Sequence, residues 1–293
     1  MFRFDRIKKK GLKAEAIFFN IRLKFQNKIN KRESWLEMFL IFYLWPCKHC
    51  SKDQKSATQD FLDTQQYAIQ SVLRYERMFG ENFVSTGGLE TTAHFTSLLD
   101  LTRGQKVLDV GCGIGGSAFH MAKTYGVNVH GIDLSKNMVH IAEERCKTLT
   151  FPKDITFEIC DATTKEYPEN SFDVIYSRDA ILHIFDKLTL FRVLCLAESL
   201  LLSQFYKWLK PGGKVFITDY CWGSKPHSEK FVDYVKQRGY HLLTVTEYGK
   251  TLEWAGLINV VARDVTIEFM QVLRRELKHF SSEEQKKKIL EGI

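Results

Sequence analysis

An apolar run that leads directly into a glycine-dense turn and then into a helical pattern constrains the fold of this chain most. Residues Val107–Gly116 read VLDVGCGIGG, and Gly111, Gly113 and Gly116 satisfy the spacing G-x-G-x-x-G. Glycines at such a turn let a ligand approach the backbone and let the helix pack closely on the strand. The segment therefore predicts the first strand and helix of a doubly wound α/β sheet, with a nucleotide-like ligand at the turn.

Short apolar runs alternate with helical patterns along the rest of the chain, which predicts a parallel α/β sheet. The predicted strands are Lys106–Val110, Val129–Asp133, Ile155–Cys160, Phe172–Tyr176, Lys214–Asp219 and Ile258–Arg263. The predicted crossover helices are Ser117–Tyr125, Ser135–Cys146 and Ser228–Arg238. A further helix, capped by Thr64 and running through Phe79 to Gly80, precedes the sheet. Right-handed crossovers place the carboxyl ends of the strands at one edge of the sheet, where ligands bind.

Basic charge is concentrated at the amino terminus. Residues 1–56 carry 14 Lys and Arg against 5 Asp and Glu, whereas residues 57–293 carry 28 against 30. Nucleic-acid affinity depends on a basic surface, so the near-neutral main body argues against a polyanion as the main substrate. We expect a basic extension over residues 1–56, poorly ordered or amphipathic, followed by one domain over residues 57–293. Contact of the extension with a membrane surface, or with nucleic acid, is the less favoured alternative.

The composition is that of a globular protein, with 44% hydrophobic and 26% charged residues. The chain has no uncharged apolar stretch of about 18 residues that would span a bilayer. Seven scattered cysteines do not resemble a secreted disulfide framework, so we expect a reducing, cytoplasmic location. Cys47 and Cys50 have no second ligand pair at zinc spacing, so no metal site is expected.

Acidic residues stand at the carboxyl ends of three successive predicted strands. The charge of Asp109, two residues before the first glycine, would repel a pyrophosphate but suits a ligand with an ammonium and a sulfonium, as in S-adenosylmethionine. Asp133 lies about 20 residues further on, where a ribose-binding acid is expected. Asp161 could accept a hydrogen bond from an adenine amino group. A nicotinamide cofactor is the alternative, and each acid alone could be a helix cap or a solvated loop residue.

Beyond the glycine loop, several segments between about residues 60 and 280 make the chain resemble the phosphoethanolamine N-methyltransferases. These segments are FLDTQQY at Phe61–Tyr67, RYERMFGENFVSTGGLETT at Arg74–Thr92, YSRDAILHI at Tyr176–Ile184, KWLKPGGKVFITDYC at Lys207–Cys221 and DYVKQRGY at Asp233–Tyr240. The resemblance implies a Rossmann-like class I S-adenosylmethionine-dependent methyltransferase fold, with a mostly parallel sheet flanked by helices. It also implies methyl transfer to the amine of phosphoethanolamine or its mono- and dimethyl forms, toward phosphocholine.

The same resemblance implies roles for individual residues. Tyr67 and His183 would form the catalytic pair that handles the proton of the amine. The cofactor contacts would be Gln66, Ser85, Asp109, Gly111, Gly113, Asp133, Leu134, Asp161, Ala162 and Arg178. The substrate contacts would be Tyr75, Asp179, Tyr220, Tyr234, Arg238 and Tyr240.

Physical chemistry supports three of these roles and offers an alternative for each. An ammonium must lose a proton before its nitrogen can attack a methyl group, so a base is needed, and His183 follows the fourth predicted strand. Its alternative is a buried, satisfied histidine. Tyr67 could pack into the core rather than close the site. Arg238 can bind a phosphate, and it can also cap the end of its helix.

The sequence departs from the family in two places. About eleven extra residues near Val193–Ser203 lengthen a helical segment, which we expect to bulge or protrude. The chain stops at EEQKKKILEGI, where relatives continue into a final strand, so we expect a sheet that lacks this strand. Two alternatives to the family's activity therefore stay open: a catalytically weak cofactor-binding protein, such as a truncated isoform, and a methyltransferase for another small or lipid acceptor. We expect a monomer.

Overall fold

The computed structural model describes residues 15–22, 57–149, 154–184, 187, 204–223 and 226–280. The strands are β1 (Glu15–Arg22), β2 (Lys106–Val110), β3 (Asn128–Asp133), β4 (Ile155–Ile159), β5 (Phe172–Arg178), β6 (Leu209–Cys221) and β7 (Ile258–Asp264). The helices are α1 (Ala57–Phe61), α2 (Ile69–Phe79), α3 (Gly88–Ser97), α4 (Gly116–Tyr125), α5 (Lys136–Cys146), α6 (Gln204–Trp208), α7 (Glu229–Gln237), α8 (Val245–Trp254) and α9 (Thr266–Phe280). A π-helical turn, Leu62–Gln66, follows α1, and a 3₁₀ turn, Ile181–His183, follows β5.

The strands form one sheet in the order β4-β3-β2-β5-β6-β1-β7, and every strand pairing described is parallel. All six predicted strands and the three crossover helices are confirmed, with bounds shifted by a few residues. Alternate residues of one strand enter different cores: Leu108 and Ile175 pack on one face, whereas Val107 and Val174 pack on the other. Helices therefore cover both faces, as the doubly wound fold requires.

The amino-terminal segment contributes a strand that we did not expect. Residues 15–22 pair in parallel with Lys214–Cys221 of β6 on one side and with β7 on the other. Residues 15–22, which we assigned to the amino-terminal extension, are thus part of the sheet, and with them the described sheet has seven strands. The physical reason is that backbone groups along the sides of β6 and β7 need partners, and a strand distant in sequence satisfies them as well as a near one.

Deleting residues 1–22 is expected to destabilise the protein, because β1 provides the only described strand pairing between β7 and the rest of the sheet. Each buried backbone group left unpaired costs about 1–3 kcal/mol, so we expect a loss of at least about 3 kcal/mol. Thermal unfolding should then show Tm lowered by about 6 °C or more. Deletion of residues 1–12, which keeps β1, is the matched control. Equal Tm values for the two deletions would show that β1 does not hold the sheet together.

The helix predicted from Thr64 to Phe79 is interrupted. The chain forms the π-helical turn, breaks at Tyr67 and resumes as α2 at Ile69, so the prediction of a Thr64 cap is wrong. The Thr64 hydroxyl donates to the carbonyl of Asp60 instead. Asn137 of α5 stabilises the break, because its side-chain amide donates to the carbonyl oxygens of Asp63 (3.0 Å) and Tyr67 (2.9 Å). Gly80 ends α2 as predicted, with φ of 98°.

Three sequence predictions lie outside the described residues: the extra segment near Val193–Ser203, the Cys47/Cys50 pair and the order of the remaining residues of the amino-terminal extension. Within the part of the chain that the structure describes, no helix combines the length and the apolar character needed to cross a membrane.

Candidate active site

The candidate site lies at the carboxyl ends of the central strands, where β2, β3, β5 and β6 each have a predicted ligand-binding residue as their last or second-last residue. One part is a cleft at the glycine loop, and its lining includes Ser85, Asp109, Gly111, Gly113 and Arg178. A second part is a cluster of tyrosines around Arg238. The pair of Tyr67 and His183 adjoins the second part, since the His183 ring lies 5.1 Å from that of Tyr240.

The glycine loop has the geometry that the sequence predicts. Gly111 and Gly113 adopt positive φ angles of 77° and 54°, which residues with a side chain rarely adopt. A Cβ atom on Gly111 would lie 2.2 Å from the Cβ of Ala180, and one on Gly116 would lie 2.2 Å from the carbonyl oxygen of Asn82. A side chain at Gly111 would push the glycine loop away from the turn after β5, and one at Gly116 would push the start of α4 away from Asn82.

The surroundings of Asp109 agree with the prediction that it lies beside a positively charged ligand. The residue is 1% exposed, and its Oδ2 atom has no hydrogen-bond partner among the described residues. Burial, with a smaller contribution from Asp133, raises the pKa of Asp109 to about 8, against the opposing effect of Arg178. An unpartnered carboxyl group of this kind gains most from a ligand that brings positive charge, so the residues present fit S-adenosylmethionine.

Asp133 links the glycine loop to the start of α5. Its Oδ2 atom accepts from the N–H of Gly113 (2.9 Å), and its Oδ1 atom accepts from the N–H of Ser135 (2.9 Å). Burial raises the pKa of Asp133, while these two N–H groups oppose that effect. Each oxygen retains a lone pair, so a ribose contact stays a prediction that this geometry permits.

Three further predicted cofactor contacts lie on the loops that follow the adjacent strands β3 and β4. Leu134 follows β3 and is half-buried, and Ala162 lies beyond β4 and is buried. Asp161 is exposed, and its Oδ1 atom accepts from the N–H and the hydroxyl of Thr163. This local turn uses part of the hydrogen-bonding capacity of Asp161, so its contact with adenine also stays a prediction.

Arg178 lines the cleft, but most of its hydrogen bonds hold the segment before and at the start of α3. Its guanidinium donates to the carbonyl oxygens of Thr86 and Gly88 and to the hydroxyls of Thr91 and Thr92. The neighbouring Gly87 N–H donates to Glu276 of α9 (2.6 Å). Arg178 therefore holds the segment before α3, which includes Ser85, next to the cofactor cleft.

Tyr67 and His183 are in contact, as the predicted catalytic pair requires. The Tyr67 hydroxyl lies 3.2 Å from His183 Nε2, and the Gln66 amide donates to the Tyr67 hydroxyl at 3.1 Å. The break between the π-helical turn and α2 directs Tyr67 toward the 3₁₀ turn that carries His183. Sequence periodicity alone would have placed Tyr67 within a continuous helix.

Burial and positive neighbours keep the imidazole of His183 neutral. Burial, with smaller contributions from the charges of Arg238, Lys187 and His241, lowers the pKa of His183 to about 3. Burial also raises the pKa of Tyr67 well above its usual value, so the phenol keeps its proton. A neutral imidazole beside a protonated phenol can accept a proton, provided that a bound anion offsets the neighbouring positive charge.

The predicted phosphate-binding residues form one cluster beside His183. The Tyr240 ring lies 5.1 Å from the His183 ring, 6.3 Å from that of Tyr220 and 6.0 Å from that of Tyr234, measured between centroids. The Nε atom of Arg238 donates to the Tyr240 hydroxyl at 3.2 Å. Phenols and a guanidinium in this arrangement can donate hydrogen bonds to the oxygens of a phosphoryl group.

Asp179 and Tyr75 complete the set of predicted substrate contacts. Asp179 has a positive φ of 52°, and its carboxylate accepts from the hydroxyl of Thr218 at 2.9 Å. Such a positive φ strains the backbone of a residue other than glycine, and strain of this kind is common at functional sites. Tyr75 is 7% exposed and packs with Phe79 and Phe83, near Tyr67.

Sequence reasoning missed the residues that hold the segment of α1 and the π-helical turn over β3. The carboxylate of Asp63 accepts from the Ser135 hydroxyl (2.6 Å), and the amide of Gln59 donates to the carbonyl oxygen of Leu134 (2.8 Å). Asn137 adds the two hydrogen bonds described above. None of these polar residues has a distinctive spacing, so no sequence signal marks their partners on β3 and α5.

Comparison with known proteins gives the same family. A family model described as a methyltransferase domain matches residues 101–256. Phosphoethanolamine N-methyltransferase 1 of Triticum aestivum is 56% identical over 237 residues, which cover 81% of this chain and 45% of that protein. Phosphoethanolamine N-methyltransferase of Plasmodium falciparum is 42% identical over 225 residues, covering 76% of this chain and 80% of that protein.

A solved structure matches over the same region. Haemonchus contortus phosphoethanolamine N-methyltransferase 2, in complex with phosphomonomethylethanolamine and S-adenosylhomocysteine, superposes with a TM-score of 0.74 at 37% identity. The match covers 80% of this chain and 52% of that one. This chain spans about half the length of the plant and nematode relatives that it matches and four fifths of the malaria-parasite relative. The fold is therefore that of a class I methyltransferase, and the chain belongs to the phosphoethanolamine N-methyltransferase family.

Proposed function

We propose that this chain transfers methyl groups from S-adenosylmethionine to the amine of phosphoethanolamine and of its mono- and dimethyl forms, toward phosphocholine. The observation that carries the proposal is the place of Tyr67 and His183. The Tyr67 carbonyl binds Asn137 of α5, the helix that follows Asp133 and the glycine loop bound to it. The His183 ring lies 5.1 Å from that of Tyr240 in the tyrosine cluster. The pair therefore adjoins both parts of the site. An amine whose phosphate bound the tyrosine cluster would therefore lie beside the pair.

The cofactor, when bound, supplies an electrophilic methyl group on a sulfonium. The residues of the chain must then expose a lone pair on the amine, because an ammonium has none to donate. With a pKa near 10.4, removing this proton at pH 7 costs about 4–5 kcal/mol. We propose that the Tyr67 oxygen accepts the proton while its own hydroxyl proton passes to Nε2 of His183.

The phosphate of the substrate would assist this proton transfer. Arg238 is one of the positive charges that lower the pKa of His183. A phosphoryl group carries about −1.5 to −2 charges, so its binding at Arg238 would offset this effect and raise the basicity of His183. Phosphoethanolamine should accordingly be methylated much faster than ethanolamine, which lacks the phosphate. Equal rates for the two amines would contradict the assigned substrate.

Replacing Arg238 with alanine is expected to raise the KM for phosphoethanolamine by about 10–100-fold, because a charge-assisted hydrogen bond contributes about 1.5–3 kcal/mol. Steady-state kinetics at saturating cofactor measure this effect. Arg103→Ala is the control, since Arg103 is exposed and precedes β2, away from the carboxyl ends of the strands. An unchanged KM for Arg238→Ala would place the phosphate site elsewhere.

We also propose that the enzyme is a cytoplasmic monomer with a small-molecule substrate. Cys112, Cys146, Cys160 and Cys221 are free thiols, in keeping with a reducing compartment. The alternative of a cofactor-binding protein with little catalytic power predicts a calorimetric signal with S-adenosylmethionine but no methylated product.

A further inference from the structure

A buried polar cluster lies behind the proposed site and consists of Lys187, Asp219 and Tyr248. Lys187 is 4% exposed, and Asp219 and Tyr248 are fully buried. The Tyr248 hydroxyl donates to Asp219 Oδ2 at 3.1 Å. The Lys187 ammonium donates to the carbonyl oxygens of Ile184 (2.7 Å) and His241 (2.5 Å).

Each contact of this cluster falls one residue away from a residue of the proposed site. Asp219 immediately precedes Tyr220 in β6. Ile184 and His241, whose carbonyl oxygens bind Lys187, immediately follow His183 and Tyr240. Lys187 therefore joins the segments of His183 and Tyr240, and Tyr248 joins α8 to β6 beside Tyr220. The opposite charges of Lys187 and Asp219 link these two parts electrostatically.

The charges in this cluster depend on one another. Burial raises the pKa of Asp219 and lowers the pKa of Lys187, and the opposite charge of each partner opposes the shift of the other. Asp179 also faces Asp219, Cys221 faces both charges, and the backbone N–H of Leu182 stabilises the Asp219 carboxylate. Removing one partner would leave the other with an uncompensated buried charge.

We propose that Lys187, Asp219 and Tyr248 are positioning residues that fix the His183 turn relative to Tyr220 and Tyr240. The three side chains are buried, and they act through the backbone of the neighbouring site residues. The proposal rests on the proposed function, because it assigns the cluster to the alignment of the proton acceptor and the phosphate-binding phenols.

Lys187→Met tests the proposal most directly. We expect kcat with phosphoethanolamine to fall by about 10–100-fold, the size of effect that misplacement of a reacting group by about 1 Å produces. The KM for phosphoethanolamine should rise, and calorimetry should show S-adenosylhomocysteine affinity within twofold of the parent. Lys210→Met is the matched control, because it removes a lysine that binds Asp173 (2.7 Å) near the start of β6. A Lys187→Met protein with a lower Tm but with kcat and KM within twofold of the parent would overturn the proposal.

Two further variants separate charge from position. The double variant Lys187→Met/Asp219→Asn removes both charges, so it should recover most of any Tm lost by Lys187→Met. It should not recover kcat, because the hydrogen bonds from Lys187 to the carbonyl oxygens of Ile184 and His241 stay absent. Recovery of kcat as well would overturn the proposal. Tyr248→Phe keeps the packing of α8, so it serves if Lys187→Met fails to fold. It should lower kcat several-fold, and an unchanged kcat would overturn the positioning role of the cluster.

A spectroscopic measurement distinguishes failure of this proposal from failure of the proposed function. In NMR titration of the histidines without substrate, Lys187→Met should raise the pKa of His183, because the charge of Lys187 lowers it in the parent. Phosphoethanolamine should shift the His183 signal less in this variant than in the parent or in Lys210→Met. Unaltered His183 signals would overturn the positioning role. Altered signals in a parent protein that produces no methylated amine would retain that role and reject the proposed function.

Discussion

Replacing His183 with alanine is expected to lower kcat for phosphoethanolamine by about 10²–10⁴-fold, the contribution typical of a positioned acid–base group. The reason is that His183 Nε2 lies 3.2 Å from the Tyr67 hydroxyl and is the acceptor of the proposed proton relay. Stopped assays with labelled cofactor measure kcat, and calorimetry should show cofactor affinity within twofold of the parent.

His140→Ala is the control for His183→Ala, because His140 is exposed on α5. Equal losses of turnover and cofactor affinity in His183→Ala would indicate damage to the fold. A kcat within threefold of the parent would remove His183 from the chemistry and leave the Tyr67 hydroxyl without its assigned proton acceptor.

Replacing Asp133 with alanine is expected to lower the affinity for S-adenosylmethionine by at least about 100-fold. The substitution removes the proposed ribose contact and the acceptor for the N–H groups of Gly113 and Ser135. The two hydroxyls of a ribose would each donate to this carboxylate, and hydrogen bonds to charged groups contribute about 1.5–3 kcal/mol each, which together account for the expected change. Calorimetry with the cofactor and its demethylated product measures it.

Asp133→Asn separates the ribose contact from the support of the glycine loop. Asparagine keeps the shape and one acceptor oxygen, so it should preserve Tm better than alanine while still weakening cofactor binding. An affinity unchanged in both variants would contradict the assignment of Asp133 to the cofactor.

The sheet and the glycine loop could be predicted because local rules determine them. The run from Val107 to Gly116 combines an apolar strand, glycines and a helix within ten residues, and the structure places each as predicted. The pairing of Tyr67 with His183 follows from resemblance rather than from pattern. Periodicity would bury Tyr67 in an unbroken helix, whereas hydrogen bonds from Asn137, about 70 residues away, stabilise the break.

Features that depend on distant partners could not be predicted. The backbone of Glu15–Arg22 joins β6 and β7, but a short apolar run near the amino terminus carries no information about which strand edges need a partner. The sequence also does not indicate that Lys187 and Asp219 are buried together. A lysine is most often solvated, and a single aspartate in a strand does not identify its partner. Their burial together is a consequence of topology.

Incubation of the purified chain with methyl-labelled S-adenosylmethionine and each of the three phosphobases tests the central claim most directly. Chromatography and mass spectrometry of the products should show label on the nitrogen of phosphoethanolamine or of its mono- or dimethyl form, and far less label in a parallel incubation with ethanolamine. Binding of the cofactor without label on any of the three amines would contradict the account.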